Sequence, residues 1–217
     1  MKLYHGSPVE NFTPTYGLGR DDHDYGRGFY MTADIDLARE WAAGQRVDAV
    51  GWLHVYEVAV ESLNTFDFAD AGVYAWLAEL MKHRQADTSP SYVRSVEKFI
   101  SKYGVDVSGY DIIKGWRADA SYFFIAQQFV RNQIDVSILE ELLRLGDLGV
   151  QYFIKSERAF AALRELDDEK ELVDGSVYRA RYDTRDELAR KNMTELIYDP
   201  VRNPLARTFA DLMKEVP

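Results

Sequence analysis

Apolar and polar residues alternate along this chain in two rhythms, one of period two and one near 3.6, and the switches between them mark out its elements. Leu3 and His5 flank Tyr4 as they would on a short strand, which Gly6-Ser7-Pro8 breaks. A polar, Gly-rich loop follows, and Gly28 to Met31 is again β-prone and aromatic. Thr32 then reads as the cap of a helix beginning near Asp34, and Asp34 to Ala43 is amphipathic, with Ile35, Ala38, Trp41 and Ala42 on one face. Gly51 to Val60 reads as a strand, and Asn64 to Asp67 as a short extended piece anchored by Phe66 and Phe68. Helices are expected over Ala71 to His83 and, after Ser89-Pro90-Ser91, over Tyr92 to Tyr103, ending at Gly104.

Tyr110 to Gly115 reads as a central strand leading into a loop, Trp116 to Ala120. Two helices, Ser121 to Asn132 and Val136 to Leu145, a turn over Gly146 to Gly149 and a strand, Gln151 to Lys155, come next. A helix from Ser156 or Glu157 is expected to reach about Leu166. The character then changes at the charged run Asp167 to Glu171. Beyond it, Ser176 to Arg181 reads as a strand, and Arg185 to Met193 and Leu205 to Lys214 as helices separated by Asn203-Pro204. The soft boundary near 168 divides a domain over 1–167 from a mainly helical C-terminal extension over 168–217.

At 217 residues, 47% hydrophobic and with 11 Phe, 14 Tyr and 4 Trp, the chain can bury a substantial core. No apolar run approaches the ~20 residues that span a bilayer, and no signal peptide is apparent, so a soluble, cytoplasmic protein is expected. Cysteine is absent, which excludes disulfides, thiolate metal sites and a Cys nucleophile. The net charge of −10 disfavours stable nucleic-acid binding through bulk electrostatics.

The candidate chemistry is concentrated between Leu3 and Trp41, where two strands joined by a Gly-rich loop end in residues more suited to a site than a core. Leu3-Tyr4-His5-Gly6-Ser7, Gly26-Arg27-Gly28-Phe29-Tyr30 and Gln151-Tyr152-Phe153-Ile154 occur in the order of the three motifs of ADP-ribosyltransferases. Over residues 3–166 the chain resembles the His-Tyr-Glu branch typified by poly(ADP-ribose) polymerases and diphtheria-type toxins. It is also similar to a bacterial family of unknown function in that clan, sometimes encoded beside small antitoxin-like proteins. The resemblance implies an α+β fold with a split β-sheet core and surrounding helices. It implies NAD as co-substrate, no metal, and a catalytic set of His5, Tyr30 and Gln151. His5 would bond the ribose hydroxyls, Gly6 and Ser7 would hold the carboxamide, and Tyr30 and Trp41 would sandwich the nicotinamide ring. Arg20 matches an arginine near the adenosine side.

Each residue also has a plainer reading. Alone, His5 would be structural, Tyr30 a core aromatic and Trp41 a helix-packing residue. Asp21-Asp22-His23-Asp24 could be taken for a metal cluster, but adjacent loop residues without a distant ligand favour a solvated loop. Trp116 to Asp119 reads as a capped turn that could line a cleft.

At the third motif this chain carries Gln151 where transferring relatives have Glu. A unit charge ~4 Å from a developing cation is worth roughly 4 kcal/mol at an effective dielectric of ~20. Losing half of that slows chemistry ~30-fold. Gln151 therefore implies a slower enzyme, a substitute carboxylate or a binder, and Gln151→Glu is expected to raise turnover. Glu157 and Asp147 are near in sequence but not evidently placed to compensate. Gly149, two before Gln151, is not the second carboxylate of arginine-modifying toxins. The resemblance thus implies a mono-ADP-ribosyltransferase, an effector or the toxin of a toxin–antitoxin pair with an antitoxin-like partner. The alternatives are an NAD glycohydrolase, a non-catalytic NAD or ADP-ribose binder, and an interaction module whose partner docks on 168–217.

Overall fold

The computed structural model describes residues 1–44, 50–85, 87–145, 149–199 and 205–215. In chain order it forms β1 (Lys2–Ser7), β2 (Phe29–Thr32), α1 (Ile35–Ala43), β3 (Val50–Val58), β4 (Thr65–Asp67), α2 (Phe68–Ala71), α3 (Val73–His83) and α4 (Pro90–Tyr103). There follow β5 (Ile112–Trp116), α5 (Ala120–Val130), α6 (Val136–Leu145), β6 (Val150–Ile154), α7 (Glu157–Ala161), β7 (Leu163–Glu165), β8 (Glu171–Asp174), α8 (Gly175–Ile197) and α9 (Phe209–Leu212). The fold is α+β. Its sheet runs β4-β5-β6-β2-β1-β3-β7, antiparallel except for the β4–β5 pair.

The period-two pattern sorts side chains onto opposite faces. Ile113 and Phe153 join the larger core, where Trp76, Phe99 and Phe129 of α3, α4 and α5 are buried. Their strand neighbours Ile112 and Ile154 join Leu3, Met31 and Tyr56 in a second cluster. Against β1 and β3 lies α1, so closely that a Cβ on Gly6 would meet the Ala38 carbonyl at 2.0 Å, and one on Gly51 the Ala42 carbonyl at 1.9 Å. Asp34, not the expected Thr32, caps α1 by accepting from the Asp36 and Leu37 N–H groups, while the Thr32 hydroxyl accepts from the Asp34 N–H.

Several elements differ from the sequence reading. The helix expected from 156 or 157 to about 166 ends at Ala161, and Leu163–Glu165 becomes β7 against Tyr56–Val58. An open edge on β3 offers backbone partners there, which outweighs local helix propensity. The strand expected over Ser176 to Arg181 is instead the start of α8, a 23-residue helix. Asp174 caps it through the Ser176 N–H, and Arg179–Asp183 and Asp186–Arg190 pairs lie along it. Gly72, at φ +87°, separates α2 from α3, and the last helix shrinks to Phe209–Leu212. The 168–217 segment is built onto the same sheet, since β8 pairs with Val50–Leu53 of β3 and α8 packs on α1, α5 and α6. The turn expected over 146–149 lies, except for Gly149, outside the described residues, as do Asp147 and Asn203-Pro204.

Candidate functional site

His5, Tyr30 and Gln151 stand on β1, β2 and β6, three neighbouring strands, with Tyr4 opposite Thr32 and Thr32 opposite Gln151. All three line one open cleft of about 770 Å³. Gly6, Arg20 and Trp41 line it as well, so the structure brings together every sequence-predicted site residue but one. Ser7 is apart: it is buried, and its Oγ accepts from the Val9 N–H at 3.1 Å.

The wall formed by β1 and β2 is aromatic. The His5 ring stacks on Phe12 at 5.3 Å and leans on Phe29 at 4.4 Å. Its Nδ1–H donates to the Tyr30 carbonyl at 2.7 Å, which fixes the tautomer, because a carbonyl can only accept. Burial then lowers the His5 pKa to about 4, against the raising effect of that bond. Neutral His5 therefore offers Nε2 as an acceptor, suited to a hydroxyl donor. The Tyr30 hydroxyl donates to the Gly26 carbonyl at 2.7 Å and accepts from the Tyr25 N–H at 3.0 Å, so it secures the loop before β2. Burial pushes its pKa well above the usual range. Trp41, on α1, makes no ring contact with Tyr30 among the described residues, although both line the cleft.

The opposite wall is charged. The Arg117, Ala118 and Asp119 loop between β5 and α5 carries it, as do Arg84 beyond α3 and Tyr182 from α8. Asp119 caps α5 by accepting from the Tyr122 N–H, so the segment both caps and lines. Glu40, on α1, takes a bidentate pair from Arg185 at 2.6 and 2.9 Å and sits 3.7 Å from Arg117. Arg185 also reaches Asp119 at 3.5 Å. Arg117 makes no side-chain hydrogen bond among the described residues, and burial pulls its pKa down. The Tyr182 ring lies 5.7 Å from both the Arg117 and Arg185 guanidinium carbons.

Between the walls sits Asp24, a residue whose role sequence reasoning did not identify. Asp21, Asp22 and His23 are exposed, as the solvated-loop reading expects, but Asp24 is buried. Its Oδ2 accepts from the Ala118 N–H at 2.8 Å and Gln151 Nε2 at 2.9 Å, and its Oδ1 from Arg84 at 3.0 Å. Its charge contributes to raising the Tyr25 and Tyr30 pKa values, behind the larger effect of burial. Gln151 also donates to the Trp116 carbonyl at 3.3 Å, an oxygen shared with the Tyr25 hydroxyl and the Trp76 indole N–H. The chain signals Asp24 only by placing an acid beside the buried Tyr25-Gly26 pair. Glu157, by contrast, is exposed in the first turn of α7. Among the described residues no group of acids and histidines is arranged to hold a metal ion, and no helix is long and apolar enough to cross a membrane.

No curated protein and no solved structure matches this chain. One family model does match, over residues 1–164, which stops short of β8 and of the α8 residues that complete the charged wall. The chain belongs to that family, described as a protein of unknown function (DUF3990).

Proposed function

We propose that this protein is an NAD-dependent mono-ADP-ribosyltransferase with a split-sheet ADP-ribosyltransferase core. The observation that carries the reading is the convergence of His5, Tyr30 and Gln151 from three adjacent strands on one cleft, which Trp41 also lines. The nicotinamide ring stacks in the aromatic part, where its flat face gains contact area. Neutral His5 accepts from a ribose hydroxyl through Nε2. Arg117, held only by a loose 3.7 Å ion pair to Glu40 among the described residues, and Arg20, whose partner Asp22 is exposed, line the cleft as the cations for the diphosphate. The bond between C1′ and the nicotinamide nitrogen breaks, its electron pair leaves with neutral nicotinamide, and an acceptor nucleophile bonds to the cationic C1′ and loses its proton. Water in that role gives free ADP-ribose, the glycohydrolase variant. A toxin–antitoxin setting with a small protein partner, and a cytoplasmic location, belong to this proposal through the family resemblance.

A second reading, an NAD or ADP-ribose binder without turnover, is favoured by the uncharged Gln151. Nicotinamide release from labelled NAD, measured with equilibrium binding of NAD, separates the two. Release that falls at least 100-fold in both His5→Ala and Tyr30→Ala is expected for the transferase. Binding without release by the unmodified protein would leave the binder, and absence of both would remove NAD from consideration.

A further inference from the structure

The charge missing from position 151 has a counterpart in three dimensions. Both Nε2 protons of Gln151 are directed at oxygens, Asp24 Oδ2 at 2.9 Å and the Trp116 carbonyl at 3.3 Å. A carboxylate and a carbonyl only accept, so this pair of partners dictates which end of the carboxamide is nitrogen. The atom left for a ligand is Oε1, an acceptor, which is what a ribose hydroxyl needs. Asp24 is held in turn by three donors from separate elements, Arg84, the Ala118 N–H and Gln151 itself. Arg84 is also bonded to the Ala118 carbonyl at 2.6 Å, so its position is fixed independently of Asp24.

Resting on the NAD-cleavage reading, we infer that Asp24 is the positioning carboxylate of this cleft. Its hydrogen bond turns Gln151 so that Oε1 meets a ribose hydroxyl, and its negative charge, one side chain removed from C1′, replaces the charge that position 151 lacks. The donor bond to Asp24 also polarises the Gln151 carboxamide, increasing the negative charge on Oε1. Arg84 offsets part of the field, which makes the arrangement weaker than a carboxylate in direct contact.

The same geometry reverses the sequence-based expectation for Gln151→Glu. The substitution sets two carboxyl groups about 3 Å apart in a buried site, where they share a proton rather than both ionise. Adding a charge at 151 helps only if the one at 24 is removed.

The test is nicotinamide release from labelled NAD by the full chain, with kcat and KM followed over pH 5 to 9, for the unmodified protein, Asp24→Asn, Gln151→Glu and the double variant. Asp24→Asn is expected to lower kcat about tenfold or more with KM little changed. Gln151→Glu is expected to show an ionisation absent from the unmodified protein and no gain at neutral pH. In the double variant the introduced amide can donate to the introduced carboxylate, and kcat recovers to the unmodified level or above. A merely structural Asp24 would not be rescued by moving the charge. Unmodified protein that releases nicotinamide while Asp24→Asn matches it, or a folded, NAD-binding Asp24→Asn that the double variant does not rescue, overturns the inference alone. If Asp24→Asn does not fold, Gln151→Glu decides: a uniform rise in kcat at all pH values overturns the inference, and the new ionisation supports it. Failure of the unmodified protein to cleave NAD overturns the underlying reading, and the inference with it.

Discussion

The two walls of the cleft reach it by different routes. The aromatic wall comes from residues close together in the chain, His5, Phe12, Phe29 and Tyr30, and from backbone contacts such as the His5 bond to the Tyr30 carbonyl. The charged wall is assembled from α1, the end of α3, the β5–α5 loop and α8, so that Arg185 meets Glu40 across 145 positions of sequence. The first depends on backbone shape and stacking, the second on ion pairs whose desolvation must be matched by good geometry. The first also lies entirely within the part of the chain that the family model matches, while Tyr182 and Arg185 lie beyond it. The aromatic wall thus rests on strands inside the matched region, and the charged wall is closed by a long helix that lies outside it.

That contrast can be broken most severely at the backbone of the aromatic wall. Gly6→Ala puts a methyl group 2.0 Å from the Ala38 carbonyl and 2.3 Å from the Ala42 nitrogen, neither of which can move without shifting α1. A loss of about 3 kcal/mol or more is expected in denaturant unfolding; stability within 1 kcal/mol of the unmodified protein would mean that α1 does not rest on β1 so closely.

The same wall should respond to acid. Folding lowers the His5 pKa from 6.5 to about 4, so between those values the unfolded state binds the extra proton. This contribution to stability is intact above pH 6.5 and is lost as pH falls toward 4. The full loss is up to roughly 3 kcal/mol at about 1.4 kcal/mol per unit. Proton NMR titration of the His5 ring should show a midpoint near 4, and one near 6.5 would refute the neutral imidazole. Nicotinamide release, if it depends on neutral His5, should show no inflection from this group between pH 6 and 8.

On the charged wall, Arg185→Ala removes the bidentate partner of Glu40, whose side chain is only 7% exposed, and is expected to cost about 2 kcal/mol, less than a fully buried pair because Arg185 keeps some exposure. Arg185→Lys should recover only part of this, since a point charge does not reproduce the fork. A lysine variant as stable as the original would show that charge alone, without the two-point geometry, holds α8 to α1.

The smallest effect on folding is expected for Arg20→Ala. Its pair with Asp22 is exposed and screened by solvent, and no measurable change in unfolding stability is anticipated. Under the proposed function the same change should weaken NAD binding about 3- to 10-fold and flatten its dependence on salt. Unchanged affinity and salt dependence would detach Arg20 from the ligand.

The sequence by itself determined the strands and helices that carry the aromatic wall. Local alternation and helical periodicity locate β1, β2 and α1, and short-range physics is sufficient for that, although β1 runs on through Gly6 and Ser7, where a break was expected, and Asp34 rather than Thr32 caps α1. It also placed His5, Tyr30 and Gln151 at strand positions from which they could meet. Tertiary structure decided what no local pattern encodes. β7 formed where a helix was expected because β3 had an edge to pair, and Ser176 to Arg181 became helix as part of α8, which packs on α1, α5 and α6. Asp24 left a polar loop for a buried position because Arg84, Ala118 and Gln151, distant in the chain, supply the three donors that offset its desolvation. A charge is tolerated in the interior only where partners converge on it, and such convergence is a property of the folded chain, not of any segment within it.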